Sequence, residues 1–267
     1  RDAFDPGAIA LSDSGELLLA LRAGIARLNP DIESADITPE IWIAAPYDTA
    51  TTRFNDGGVD AQGRWWIGSL FAPKTHAGAG LYCLERGELK AILGEQAAQK
   101  PWQDWGVTTA NGWAMSPDGT RVYHADTQAH TVYRYDFSEK LPVESALSHR
   151  QVFVQTVDTR QQSNPSEPYQ GRPDGAVVDS AGNYWGALFE GGQIVQTAPD
   201  GTVLQKIALP AKCPTMPCFG GADLKTLIIT TTGDRPVDEL AQYPANGFIL
   251  SIQLPVAGLP TRRYRPQ

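Results

Sequence analysis

A strand–turn–strand unit recurs along this chain at a spacing of about fifty residues, and repetition on that scale narrows the fold more than any other feature of the sequence. The first copy runs Ala8-Ile9-Ala10-Leu11, a turn at Asp13-Ser14-Gly15, then Leu17-Leu18-Leu19-Ala20. The second is Gly58-Val59-Asp60, a turn at Gly63 and Trp65-Trp66-Ile67-Gly68. The third is Trp113-Ala114-Met115-Ser116, a turn at Pro117-Asp118-Gly119 and Val122-Tyr123-His124-Ala125. The fourth is Ala176-Val177-Val178-Asp179, a turn at Gly182 and Tyr184-Trp185-Gly186-Ala187, and a fifth passes through Cys218-Phe219, a turn near Ala222-Asp223 and Leu227-Ile228-Ile229-Thr230. These segments are apolar, rich in β-branched and aromatic residues and bounded by Gly, Asp and Pro, which marks strands. A third strand follows in four copies, at Gly24 to Leu28, Gly80 to Leu84, Thr131 to Tyr135 and Gly192 to Gln196. The first four turn glycines stand 48, 56 and 63 residues apart, and units of four short strands at such intervals are the blades of a β-propeller. The expected fold is therefore all-β, a single domain over residues 1–267: a six-bladed β-propeller of which five copies are legible and the first blade is largely absent. Six blades would need about 300 residues; the chain has 267 and opens on Arg1 instead of Met. A complete five-bladed ring is the alternative reading.

Composition excludes several functions. A net charge of -8 argues against a nucleic-acid partner, which calls for a basic surface, and against docking on an anionic membrane. No apolar run approaches the roughly 20 residues of a membrane helix, and no signal peptide is evident. Cys83, Cys213 and Cys218 are three in a chain too large to need staples, so free thiols in a reducing, cytoplasmic setting are expected. His76, His124, His130 and His149 show no metal-ligand spacing and read as surface or turn residues. A small polar substrate suits such a chain better than a macromolecule.

One constellation stands out once the copies are aligned. Eight residues before the turn glycines Gly63, Gly119 and Gly182 stand Asn55, Asn111 and Asp174. The strand that opens each copy is the innermost of a blade, so equivalent positions at its start should ring the central channel at one face. Arg53, two residues before Asn55, would point to the same side of its strand. Each piece also has a dull reading, because Asn55-Asp56-Gly57, Asn111-Gly112 and Pro173-Asp174-Gly175 are all good turn formers. Pro117-Asp118-Gly119 and Pro199-Asp200-Gly201 have that same chemistry and read as plain hairpin turns; what separates Asp174 is its place, since it precedes an inner strand whereas Asp118 follows one. Convergent neutral and anionic oxygens select a hard divalent cation, calcium first, then magnesium or manganese, without excluding zinc. Two Asn and one Asp carry little charge, so a further carboxylate is expected; Gly7 and Thr215, at the corresponding places in the first and fifth copies, do not supply it. The register alone does not say whether Asn55 serves metal or substrate.

The strings Arg53 to Leu70 (RFNDGGVDAQGRWWIGSL), Asn111 to Thr127 (NGWAMSPDGTRVYHADT), Gly171 to Leu188 (GRPDGAVVDSAGNYWGAL) and Pro214 to Thr231 (PTMPCFGGADLKTLIITT) resemble, in order, the senescence-marker/regucalcin and gluconolactonase family of β-propeller lactonases. The likeness runs from near residue 7 to the C-terminus. It implies a six-bladed propeller, a lactonase acting on sugar lactones, metal ligation by Asn111 and Asp174, and substrate contacts from Arg53 and Asn55. Two departures bear on it. The family's remaining ligand, a Glu in a Gly-Glu-x-Pro motif near the N-terminus, has no counterpart here and would fall upstream of Arg1. The loop after the strand matching Trp65 to Leu70 reads Phe71-Ala72-Pro73-Lys74-Thr75-His76, without the acidic residue frequent there, so substrate preference is expected to differ from that of the vertebrate members.

The expected mechanism follows. One divalent metal polarises the lactone carbonyl and activates a water, with Asp174 as ligand and general base and Arg53 and Asn55 orienting the ring. A non-catalytic propeller that binds a divalent metal or another ligand is the alternative, and an esterase or organophosphate hydrolase of the paraoxonase type ranks last, for want of carboxylates. Trp102 and Trp105 read as blade packing, or as a wall near the site. Asp158 to Tyr169 reads as a loop suited to cover its mouth, and Glu190-Gly191-Gly192 as a hairpin turn.

Overall fold

The computed structural model describes residues 4–30, 39–98, 102–160 and 168–266. The chain divides into two compact units, one of Arg1–Ala110, Ser138–Ser148 and Thr261–Gln267, the other of Asn111–Phe137 and His149–Pro260.

Two four-stranded antiparallel meanders belong to the first unit. One is β1 (Pro6–Leu11), β2 (Leu17–Leu21), β3 (Gly24–Leu28) and β4 (Glu40–Ala44); the next is β5 (Thr52–Val59), β6 (Trp65–Phe71), β7 (Leu81–Glu85) and β8 (Glu88–Leu93). Their shared core sets Ala10, Leu18, Ala20 and Ile25 against Phe54, Trp65, Ile67, Tyr82 and Leu84, all buried. Tyr264 of the C-terminal segment enters this core; it lies in a parallel bridge with Ser12, and its hydroxyl accepts a hydrogen bond from the Gly87 amide. Trp102 and Trp105 bound a short 3-10 helix, and the half-buried Trp102 donates its indole N–H to the carbonyl of Leu147.

In the second unit, apart from Ala110, Leu147 and Ser148, the meanders are β9 (Ala110–Met115), β10 (Arg121–Asp126), β11 (Thr131–Phe137) and β12 (Leu147–Gln155), then β13 (Arg172–Val178), β14 (Tyr184–Phe189), β15 (Gln193–Thr197) and β16 (Val203–Ala208). A three-stranded sheet, β17 (Pro214–Gly220), β18 (Thr226–Thr231) and β19 (Leu250–Gln253), completes it, with the short helix α1 (Val237–Gln242) between its last two strands. Tyr123, Ala125, Val178 and Tyr184 form one buried cluster of this unit; Trp185, Ile194, Phe219, Leu227 and Ile229 form another.

The described residues thus form five blade-like sheets, on the five copies legible in the sequence; the sixth blade of the expected propeller is not among them. The repeat is built by the side chain three residues before each turn glycine. Asp60 is buried and accepts from the amides of Gln62 and Arg64, from Arg64 Nε at 2.6 Å and from the Trp66 indole at 2.9 Å. Asp179 is fully buried and does the same with Ala181, Asn183, the Trp185 indole at 2.9 Å and the Gln196 amide. Ser116 plays a smaller version, accepting from the Arg121 amide. A carboxylate that satisfies the turn amides and ties the aromatic residue six positions on explains why Asp, Gly and Trp recur together.

All three cysteines are free, Cys83 and Cys213 buried and Cys218 exposed. No described helix is long and apolar enough to cross a membrane. The histidines correct the sequence reading in part. His124 is not a surface residue but lies wholly inside, because β10 is an interior strand whose last five residues are all buried. His130 does lie in a turn, with a left-handed φ of 54°, but is buried and bonds Thr156 Oγ1 at 3.0 Å.

Candidate metal and substrate site

The residues picked out by register do not sit in turns. Asn55 and Asp56 lie inside β5, where both stand opposite the single residue Gly68, since Phe54 pairs with Ser69 and Gly57 with Ile67. Asp174 and Gly175 lie inside β13, both opposite Ala187, between the pairs Pro173–Leu188 and Ala176–Gly186. Thr215 and Met216 occupy the same place in β17, and Gly7 is the extra residue of β1. In each of these four sheets, then, the innermost strand carries a one-residue bulge at the shared position. A bulge interrupts the ladder and re-aims a side chain, which is why bulges collect beside sites. In β9 the corresponding irregularity is Gly112, whose φ of 58° is left-handed.

Glycine also lets neighbouring inner strands meet at this level. A Cβ on Gly7 would lie 2.8 Å from the Asn55 Cα, one on Gly112 3.0 Å from the Asp174 carbonyl oxygen, and one on Gly175 2.7 Å from the Thr215 carbonyl oxygen. The separations at Gly7 and Gly175 leave no room for a Cβ and that at Gly112 is tight, so glycine lets β1 approach β5, β9 approach β13 and β13 approach β17 at the bulges.

Asn111 is buried, and its Nδ2 donates to Thr127 Oγ1 at 2.7 Å. Thr127 Oγ1, also buried, donates at 2.7 Å to the carbonyl of Pro173, the residue before Asp174. Both sequence-predicted ligands therefore sit on adjacent strands joined through one hydroxyl. Among the described residues no group of three or more His, Cys, Asp or Glu side chains is arranged as a metal site; the two positions picked out by register carry a carboxamide and a carboxylate.

In the first unit, Asn55 Nδ2 donates to the Ala110 carbonyl at 2.7 Å. A carbonyl only accepts, so the nitrogen faces it and Oδ1 takes the other edge of the carboxamide. Arg53 lies two residues back on the same side of β5, with buried Phe54 between them. Its Nη1 donates to the Phe54 carbonyl at 2.8 Å and its Nε stands 3.5 Å from Asp5 Oδ2, a carboxylate shared with Arg22 at 2.6 Å.

β13 repeats that pattern, with Arg172 two residues before Asp174 and buried Pro173 between. Arg172 points to a cluster that the sequence reading reduced to a turn. Glu190 does lie in the turn between β14 and β15, with a left-handed φ of 62°, but its carboxylate takes Arg160 at 3.2 Å, Arg172 at 3.0 Å and Arg235 at 3.1 Å. Arg160 is held in turn by Asp158, whose carboxyl it keeps well below the usual range, and Arg235 by Glu239, which it pushes down to about 2. Of the loop from Asp158 to Tyr169, residues 161–167 lie outside the described residues. No local pattern announces this cluster, because its members come from four separate segments. Thr127 has a fainter signal, as the last residue of the string that opens at Asn111.

The family model described as SMP-30/Gluconolactonase/LRE-like region matches residues 3–233. A 6-deoxy-6-sulfogluconolactonase from Pseudomonas putida is 38% identical over 253 residues, spanning 94% of this chain and 78% of that protein. The pentonolactonase XacC of Haloferax volcanii is 36% identical over 182 residues, 68% of this chain and 54% of its own. Among solved structures, a calcium-binding regucalcin from Agrobacterium tumefaciens matches with a TM-score of 0.79 and 23% identity, covering 98% of this chain and 80% of that one. The last is a likeness of fold, and it sets this chain among the all-β propellers.

Proposed function

Because this chain belongs to the SMP-30/gluconolactonase/LRE-like family and is thereby a lactonase, we propose that it hydrolyses a sugar lactone with one divalent metal ion held by Asn111 and Asp174. Arg53 and Asn55 are the proposed substrate-binding residues. Two of the relatives above are named as a 6-deoxy-6-sulfogluconolactonase and a pentonolactonase, and a polyhydroxy lactone is the substrate class assigned here.

The observation that carries the reading is the shared bulge position, occupied by Asn55 in β5 and Asp174 in β13, with Asn111 beside the matching left-handed glycine of β9. A strand that merely had to turn would place these residues at its end; these interrupt the ladder inside it. The donor set fits a hard cation: one carboxylate and one carboxamide oxygen, with no thiolate or imidazole. Two side chains leave much of a six- to eight-fold calcium shell to other oxygens, and calcium is the first ion to try, before manganese, magnesium or zinc. Bound there, a divalent cation supplies Lewis acidity to a carbonyl and lowers the pKa of water.

The chain's own groups do the rest. The Asp174 carboxylate takes the proton of the attacking water as general base. Water adds to the lactone carbonyl, the ring C–O bond breaks, and the proton taken up by Asp174 passes to the departing alkoxide, which leaves as the hydroxyl of the open acid. The Arg53 guanidinium donates to the carbonyl or ring oxygens, and the Asn55 Oδ1, turned from Ala110, accepts from a ring hydroxyl. Each turnover releases a carboxylic acid, so a pH-stat reads the reaction directly with gluconolactone. Asp174→Ala is expected to abolish the metal-stimulated rate while leaving the thermal transition in place; wild-type rates from that variant would remove Asp174 from the chemistry. A propeller that binds a divalent metal or another ligand without catalysis is the alternative, and acid release separates the two.

A further inference from the structure

We propose that Thr127 is a positioning residue, one hydroxyl that turns the Asn111 carboxamide oxygen toward the cation and fixes the backbone carrying Asp174. The inference rests on the metal reading above and goes beyond it to a residue outside the ligand set.

It follows from counting protons. The Pro173 carbonyl is an acceptor and nothing else, and proline has no N–H of its own. Thr127 Oγ1 lies 2.7 Å from it and owns one proton, which is spent there. What Oγ1 presents to Asn111, also at 2.7 Å, is a lone pair, so Asn111 must answer with a donor. A carboxamide donates only through nitrogen. Nδ2 therefore faces Thr127 and Oδ1 takes the opposite edge of the group, as oxygen ligation requires. Removing the hydroxyl takes away this acceptor, and a flipped carboxamide would offer N–H to a cation.

The same hydroxyl ties β9 to β13. Thr127 follows β10 directly, and the Pro173 carbonyl it holds belongs to the peptide unit entering the β13 bulge. Asn111, Thr127 and Pro173 are all buried, so water does not compete for these bonds. Gly112, whose left-handed backbone lies against the Asp174 carbonyl, brings the strands close enough for one hydroxyl to span them. Hydrogen-bonded partners of metal ligands commonly govern affinity by about ten- to a hundred-fold.

The test uses Thr127→Val, which keeps the shape and loses the hydroxyl, and Thr127→Ser, which restores it. Calorimetric titration with calcium alone, and separately with manganese alone, is expected to show affinity about ten- to a hundred-fold weaker in Thr127→Val and within about threefold of wild type in Thr127→Ser, with Asp174→Ala binding neither ion. In metal-free protein labelled with nitrogen-15 at asparagine, the Asn111 side-chain amide pair, assigned by its loss in Asn111→Asp, should be protected from exchange in wild type and Thr127→Ser and unprotected in Thr127→Val. Equal affinity and equal protection in Thr127→Val would overturn the inference with the metal reading intact. Failure of the wild type to take up either ion would overturn the metal reading and the inference with it. Equal loss in Thr127→Ser and Thr127→Val would also overturn it, showing that the methyl group and its packing matter instead of the hydroxyl.

Discussion

Lowering the pH from 7.5 to 5 should cost this protein about 2 kcal/mol through a single side chain, His124. Its imidazole is wholly buried in β10, and neither ring nitrogen has a hydrogen-bond partner among the described residues. Burial, and then the positive charge of Arg150, hold its pKa down at about 3. In the unfolded chain the same group takes up its proton near 6.5. Between those values the unfolded state binds the extra proton and the folded state does not, so stability rises with pH across the window and falls as the solution is acidified. At pH 5 the unfolded imidazole lies about 1.5 pH units below its pKa, and each unit is worth about 1.4 kcal/mol; at pH 7.5 the contribution is negligible. His124→Leu removes the titration and two unsatisfied nitrogens together. Urea unfolding of both proteins at the two pH values gives four stabilities, and every other titrating group cancels in the difference of differences. The wild type should lose about 2 kcal/mol more than the variant. Equal acid sensitivity, or an imidazole resonance assigned to His124 that titrates near 6.5 in the folded protein, would refute the argument.

Two further expectations concern the site and its surroundings. Gly112→Ala forces a Cβ into a left-handed backbone, against the Tyr184 hydroxyl and 3.0 Å from the Asp174 carbonyl oxygen, and should lower the urea midpoint by an amount equivalent to about 1–3 kcal/mol; an unchanged midpoint would mean that β9 and β13 have slack at the bulge. Glu190→Gln takes the shared charge from Arg160, Arg172 and Arg235 and should destabilise by about 1–3 kcal/mol; a rise in stability would show that this carboxylate, largely shielded from water, is tolerated for function instead.

What could be read in the sequence is what neighbours along the chain decide. The Asp or Ser three residues before each turn glycine, the glycine and the aromatic strand after it act within a few residues, so five blades and their turns were legible. The count of eight that aligned Asn55, Asn111 and Asp174 holds for the same reason, since strands advance by a fixed step. Pro-Asp-Gly marks where this legibility stops. Residues 117–119 and 199–201 form hairpin turns, each closed by an amide-to-carbonyl bond at its glycine, while residues 173–175 lie inside a strand. The local preferences are identical; the partner strand β14, with one residue fewer, made the last a bulge. Likewise His124 looked like any strand histidine until folding buried it, and Glu190 like any turn residue until arginines from other segments reached it. Thr127 became legible only when folding set it between Asn111 and Pro173. Strands, turns and register are short-range properties that the order of residues determines. Burial, bulges and the direction of a hydrogen bond depend on groups far apart in the chain, and only tertiary structure brings those together.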